Sequence, residues 1–364
     1  VAVVVRILGV LLLLSVAQDV FQTVLFPASG RGVLRKPLES AVWRVFRRVA
    51  LFARGATQRS VLAYCGPAQI AVLLAAWFLA LIVGWALIYQ PALGSGIASS
   101  GGHTDTGWAT ALYYSGFLIT TLGTGDYVPT TGLWRILAIV ETASGFVTIS
   151  MIITYFLNVY GNLTTRNAFA LGVYHRTVQT DDAARFVVNL VDDADLPDAR
   201  GYMSDTASVL RQVLQSHLSY PVLRYFHYRD TYYALPRMLL TVLDARSLIG
   251  SAIDQQRYAG IAASSALEEL DQAADALLAE LIPHAPVAPI TSADRAEWAE
   301  RFRNAVHVLR RFSIGVDDSA EALDRYIADR ATWEPRLRHL ARVTLYRWPD
   351  DPAPADDAAG DVKL

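Results

Sequence analysis

Residues 108–126 read Trp108-Ala-Thr-Ala-Leu-Tyr-Tyr-Ser-Gly-Phe-Leu-Ile-Thr-Thr-Leu-Gly-Thr-Gly-Asp126, and this stretch decides the fold. Its first part is apolar but too short to cross a bilayer, which takes about 20 helical residues. The predicted element is a re-entrant helix that enters the membrane and stops partway. The loop that follows, Thr121-Leu122-Gly123-Thr124-Gly125, is then non-helical backbone at membrane depth. Such backbone is tolerated where protein buries it or a water-filled path uses it. Glycines at alternate positions permit positive φ, so successive carbonyls can face one way. Several chains placing such loops around one axis would offer a cation carbonyl oxygen in place of its water shell.

Working outward, apolar segments long enough to span lie on both sides, at 68–90 and 133–160, and a third opens the chain at 2–26. The whole chain is 53% apolar and 18% charged, below the roughly 25% charge of soluble domains. No Lys or Arg occurs from Val61 to Trp134. The segment 27–65 holds Arg31, Arg35, Lys36, Arg44, Arg47, Arg48, Arg54 and Arg59 against the single acid Glu39. Loops this basic stay in the cytoplasm. The span 68–90 then runs outward, 91–107 is a flexible outer loop, 133–160 returns, and everything after it is cytoplasmic. The chain is therefore expected to be a multi-pass protein of the plasma membrane. Cys65 is the one cysteine, which excludes a disulfide framework, a Cys-based zinc site and an iron–sulfur cluster within one chain. A net charge of -2 argues against nucleic acid as a partner.

The first segment reads as a retained helix rather than a signal peptide, because cleavage would leave the basic loop outside. Asp19 is costly in an apolar run without a partner, and the preferred partner is a loop arginine at the inner interface. Residues 37–54 have helical periodicity, with Arg44, Arg47, Arg48 and Arg54 on one side and Leu38, Val42, Phe46, Val49 and Phe52 on the other. Such a helix lies in the inner membrane surface, against anionic lipid or against the acidic C-terminal part. With one span before it, it does not read as a voltage sensor.

The run from Ala111 through Thr120-Thr-Leu-Gly-Thr-Gly-Asp-Tyr-Val-Pro-Thr-Thr131, followed by Leu133-Trp-Arg-Ile-Leu-Ala and a helix with Gly145, resembles the pore domain of the potassium-channel superfamily. The resemblance covers 68–162. It implies an outer helix, a re-entrant pore helix with a selectivity filter, and an inner helix. It also implies that the carbonyls of Thr121, Leu122, Gly123 and Thr124, with the Thr121 hydroxyl and Gly125 closing the motif, form stacked potassium sites. Asp126 would stand at the outer mouth, drawing in cations or bracing the filter. Gly145 would take the place of the gating hinge, and one pore loop per chain implies a homotetramer with three further copies. Two positions depart from the family pattern. Thr124 stands where an aromatic packs the filter against its surroundings, and Phe117 stands near where some members carry a supporting acid. Such a filter should discriminate less between potassium and sodium.

Around the filter, Thr120, Tyr113, Tyr114, Phe117 and Glu141 are expected as its support. The tyrosines form an aromatic collar, with an interfacial role as the alternative. Glu141 either bonds the pore helix from behind the filter, the preferred reading, or faces the cavity.

From Leu163 onward the pattern is helical. Expected helix starts are Asp205, a capping box from Ser265 to Glu268, Ser292 and Asp318, giving five to seven helices. His217, His227 and Asp230 lie in a Tyr- and Pro-rich connector and lack metal-ligand spacing, so a packing role is preferred. No glycine-rich nucleotide fingerprint or phosphate loop is present in the sequence. The part 163–364 has 22 basic and 29 acidic residues, and 27–65 has 8 and 1, so the two are opposite in net charge.

The expected protein is an all-α membrane protein in five segments: an extra N-terminal membrane helix (1–26), a basic loop with an interfacial helix (27–65), a pore domain (66–162), a cytoplasmic helical bundle (163–347) and a disordered acidic tail (348–364). It is expected to be a tetrameric cation channel without cofactor or enzymatic step, gated at the inner helices by the cytoplasmic domain. The alternative is a nonconducting channel-like scaffold.

Overall fold

Long apolar runs without charge form helices because the backbone must satisfy its own hydrogen bonds in hydrocarbon. The computed structural model describes residues 1–26, 34–191, 196–283 and 290–348. In chain order, α1 spans Ala2–Val20 and continues through a π-turn at Phe21–Leu25. Next come α2 (Arg35–Phe52), α3 (Gly55–Ala63), α4 (Cys65–Tyr89), α5 (Trp108–Ile119) and α6 (Gly132–Arg176). Three helical stretches, Ala2–Leu25, Gly55–Ala92 and Gly132–Arg176, are long and apolar enough to cross a membrane. The chain is thus an all-α membrane protein. It divides into two units, Val1–Val45 with Pro67–Tyr160, and Phe46–Gly66 with Gly161–Leu364.

Within the first unit, α1 and α4 approach backbone to backbone. A Cβ on Gly9 would lie 2.6 Å from the Gly84 carbonyl oxygen, and one on Gly84 would lie 2.7 Å from the Leu13 side chain. Small residues at helix crossings allow this closeness in membranes. Asp19 is fully buried farther along α1 and accepts hydrogen bonds from the Leu34 amide (2.9 Å) and the Trp77 indole (2.7 Å). The expected arginine partner is therefore replaced, among the described residues, by neutral donors, which satisfy a carboxylate without a second buried charge. Arg31 and the rest of 27–33 lie outside the described residues.

The stretch 91–107 is not the flexible loop its glycines suggest. Residues Ile97–Ser99 form strand β1, which pairs antiparallel with strand β2, Tyr127–Pro129. The Thr130 amide also donates to the Gly96 carbonyl at 2.9 Å. Gly96 is required by a close approach, since a Cβ there would lie 2.0 Å from the Trp134 indole nitrogen. The basic helix α2 exposes Val45, Val49, Leu51 and Phe52 beside Arg44, Arg47 and Arg48.

The second unit contains α7 (Ala183–Val191), α8 (Leu196–Ser219), α9 (Leu235–Ser251), α10 (Ala259–Ala262), α11 (Ser265–Leu281), α12 (Ser292–Arg311) and α13 (Ala320–Val343). Helix starts differ from expectation in instructive ways. Asp205 lies inside α8 rather than at its cap. The cap of α11 is Ser264, which accepts from the Leu267 amide, and the capping box of α12 is Thr291 with Asp294. Ser319 caps α13, one residue after Asp318. In each of these last three cases a neighbouring hydroxyl residue takes the cap, and sequence spacing does not separate such neighbours. α6 runs on to Arg176, so 45 residues form one helix about 68 Å long. The acidic tail lies outside the described residues apart from Trp348.

An ionic network crosses the core of this unit. Arg330 of α13 has no solvent exposure and pairs with Asp244 of α9 and with Glu334. The Tyr326 hydroxyl donates to Asp244 at 2.6 Å. Arg338 bonds Glu334 (2.6 Å) and reaches Glu297 of α12 (2.7 Å). Arg246 pairs with Asp329 (2.7 Å) and with Asp271 of α11 (3.2 Å). Two sets of charges, one through Arg330 and Arg338 across α9, α12 and α13 and one through Arg246 across α9, α11 and α13, therefore tie the four helices together.

Candidate functional site: the re-entrant helix and its loop

α5 begins behind a short turn fastened by Asp105. Gly107 stands in extended conformation before it, and the Asp105 carboxylate accepts from the Thr110 hydroxyl (2.7 Å) and the Gly107 amide (3.0 Å). Those hydrogen bonds hold Asp105 below the ordinary carboxylate range. The helix ends at Thr120, whose hydroxyl turns back to the Gly116 carbonyl at 2.7 Å. The amides of Thr121 and Leu122 still donate into the helix, to Leu118 (3.0 Å) and Phe117 (2.9 Å). From Gly123 to Gly125 no backbone amide has a partner among the described residues.

The loop conformation then alternates. Thr121, Gly123 and Gly125 have φ of 57°, 59° and 75°, with Leu122 and Thr124 between them outside the positive region. Alternation of this kind turns successive carbonyls to the same side. Glycine adopts positive φ without penalty, but Thr121 is β-branched and does so under strain. Strain of that sort is held by surrounding contacts and gathers at functional sites. All five residues are exposed in the single chain, Leu122 by 69%.

A hydrogen-bonded chain supports the loop at Thr124. The Tyr113 hydroxyl donates to Thr124 Oγ1 at 3.1 Å, and Thr124 donates to Asp126 Oδ1 at 2.5 Å. The bond from Thr124, joined by Tyr113, holds the Asp126 carboxyl below its usual range. The backbone carbonyl of Asp126 is anchored in turn by the Ser100 amide (2.8 Å) and hydroxyl (3.1 Å). Tyr113 is thus the residue that reaches Thr124. Phe117 is buried, with its ring 5.4 Å from Tyr113 and 5.2 Å from Tyr114. Tyr114 is buried beside Tyr89, ring centroids 5.0 Å apart.

Behind the loop, Glu141 of α6 is buried and its Oε1 lies 2.5 Å from the Ser115 hydroxyl of α5. Ser115 also lies 3.0 Å from the Ile82 carbonyl of α4, so three elements meet at one hydroxyl. One turn on, Gly145 is buried, and a Cβ there would stand 2.4 Å from the Ile119 carbonyl oxygen and 2.8 Å from its side chain. α6 is unbroken at this point. The structure therefore gives Gly145 a packing duty beneath the last turn of α5, alongside any hinge role. Ser100, Ser115, Tyr89 and Trp134 belong to the site and were not singled out by sequence. Ser115, a small polar residue in an apolar helix, was the one readable signal among them.

Two findings place the chain beside known proteins. Residues 71–162 match a family model described as "Ion channel". The chain is similar to the "Uncharacterized membrane protein YdjJ" of Bacillus subtilis (strain 168), at 28% identity over 221 residues. That alignment covers 61% of this chain and 62% of the relative, so the chain spans less than two thirds of the protein it matches. No solved structure gives a significant match to the chain. With helices of membrane-spanning length on either side of a short helix and its alternating loop, this chain is an all-α membrane protein whose residues 71–162 match the ion-channel family model and have the layout of a pore-loop domain.

Proposed function

We propose that the chain assembles as a homotetramer around its Thr121–Gly125 loops and conducts potassium passively. The observation that carries this reading is the alternation of positive φ at Thr121, Gly123 and Gly125 in an exposed loop whose last three amides have no partner among the described residues. Four such loops facing one axis would replace the hydration shell of a cation with carbonyl oxygen. Asp126 stands at the outer mouth, and Gly145 is the point at which the inner helix bends. Conduction is diffusion down the electrochemical gradient and involves no covalent step.

The basic segment before α4 supports an inner location for it and a cytoplasmic C-terminal domain at the plasma membrane. Exposed apolar and arginine side chains on α2 support its contact with anionic lipid. The C-terminal helices bias the inner helices between closed and open states.

The Tyr113–Thr124–Asp126 chain replaces ring packing by hydrogen bonds, so the filter is held more loosely and selects potassium over sodium moderately. Removing the relay tests this. Thr124→Val removes the hydroxyl that accepts from Tyr113 and donates to Asp126. The potassium-to-sodium permeability ratio in planar bilayers is expected to fall about fivefold. A ratio within twofold of the native value would remove the bracing role of Thr124.

A further inference from the structure

The Tyr- and Pro-rich connector between α8 and α9 closes on the far end of α6. Arg166 of α6 is 3% exposed, and its guanidinium donates to the carbonyls of Leu223 (3.0 Å) and Phe226 (3.2 Å). It also stands 5.7 Å from the Tyr228 ring. One helical turn earlier, Asn162 Oδ1 lies 2.5 Å from the Ser216 hydroxyl. The same connector reaches the residue before Pro67 in α4, because a Cβ on Gly66 would stand 2.6 Å from the Phe226 ring. Its other flank is held by His227, with Nδ1 3.1 Å from the Tyr225 carbonyl and Nε2 2.7 Å from the Thr344 carbonyl beyond α13. The His227 ring stacks on Tyr346 at 4.5 Å. One short stretch therefore touches the end of α6, the start of α4 and the end of the last helix.

The energetics of this junction are balanced. Among the described residues Arg166 has no carboxylate partner, and its Nε is buried without a hydrogen bond. A buried guanidinium held by two carbonyl dipoles and a ring face, with no opposite charge, recovers only part of its desolvation cost, and release would rehydrate it. A contact with that balance can open, unlike that of Arg330 in the same unit, which pairs with the carboxylates of Asp244 and Glu334.

We propose that the connector 220–228 is a reversible latch on the inner helix, closed in this structure by Arg166 and released when the channel opens. The proposal rests on the conducting reading above. The latched α6 is one continuous helix through Gly145, and freeing its end allows it to flex there.

The test uses full-length protein in lipid vesicles. Arg166→Met keeps the bulk of the side chain and removes its donors. Amide hydrogen exchange across 220–228 is expected to rise about tenfold, the equivalent of losing roughly 1.4 kcal/mol of local stability. Open probability is expected to rise about fivefold. A second protein carries Asn162→Cys and Ser216→Cys on a Cys65→Ala background, bridged by a short thiol-reactive linker. Its current is expected to fall when bridged and to return on reduction. Unchanged exchange in Arg166→Met, or current indifferent to a bridge that has formed, would overturn the latch. Absence of current from the native protein would count against conduction, and the exchange measurement would then judge the latch by itself.

Discussion

Replacing Gly145 by alanine is expected to abolish cation flux, with a loss of several hundredfold per reconstituted protein. The added methyl has no room, because its carbon would stand 2.4 Å from the backbone oxygen of Ile119. A flexible side chain could swing away from such a contact, but a carbonyl in the last turn of α5 cannot. Either α6 withdraws or the end of α5 moves, and the Thr121 loop starts two residues later. Overpacking of this kind costs about 1–3 kcal/mol per site. In the proposed tetramer the low end, repeated at each subunit, is about 4 kcal/mol, which depopulates a conducting loop by several hundredfold. Gly161→Ala in the same helix is the control, since nothing lies within 4 Å of that position. It is expected to conduct within threefold of native. Potassium efflux from vesicles measures both variants. Near-native flux in Gly145→Ala would show that α5 and α6 are not packed as described.

The second large effect concerns Arg330. Arg330→Ala leaves Asp244 buried with the Tyr326 hydroxyl as its remaining described donor, while Glu334 keeps Arg338. Removing one partner of a buried ionic group costs about 3–5 kcal/mol, because the charges left behind have lost their solvation. For a unit of this size the C-terminal helices should unfold about 10 °C lower, as followed by circular dichroism of the full chain in detergent. The combined change Arg330→Met with Asp244→Leu removes both charges of one pair and should recover much of the loss. An Arg330→Ala protein that melts within 2 °C of native would mean the network contributes nothing to this unit.

How much of this was legible in the sequence varies with the physics involved. The membrane helices were readable because length and charge exclusion are properties of single segments. The positive φ at Gly123 and Gly125 followed from residue type, but that at Thr121 did not, since a β-branched residue adopts it against its own preference. The ordered loop 91–107 was missed because its glycines suggest freedom. Gly96 instead serves contact with Trp134, 38 residues later, and such a partner has no local signature. Opposite charge is the obvious remedy for Asp19, whereas its donors among the described residues are an indole and an amide. Arg166 gave no signal at all, because its partners are backbone carbonyls, which every residue carries.

The most direct measurement is the reversal potential of purified native protein in planar bilayers, with potassium on one side and sodium on the other. A cation current is expected whose reversal lies between zero and the potassium equilibrium potential, the signature of carbonyl sites held by the Tyr113–Thr124–Asp126 chain. Absence of current from folded protein across pH, voltage and lipid composition would contradict the account and favour a nonconducting scaffold.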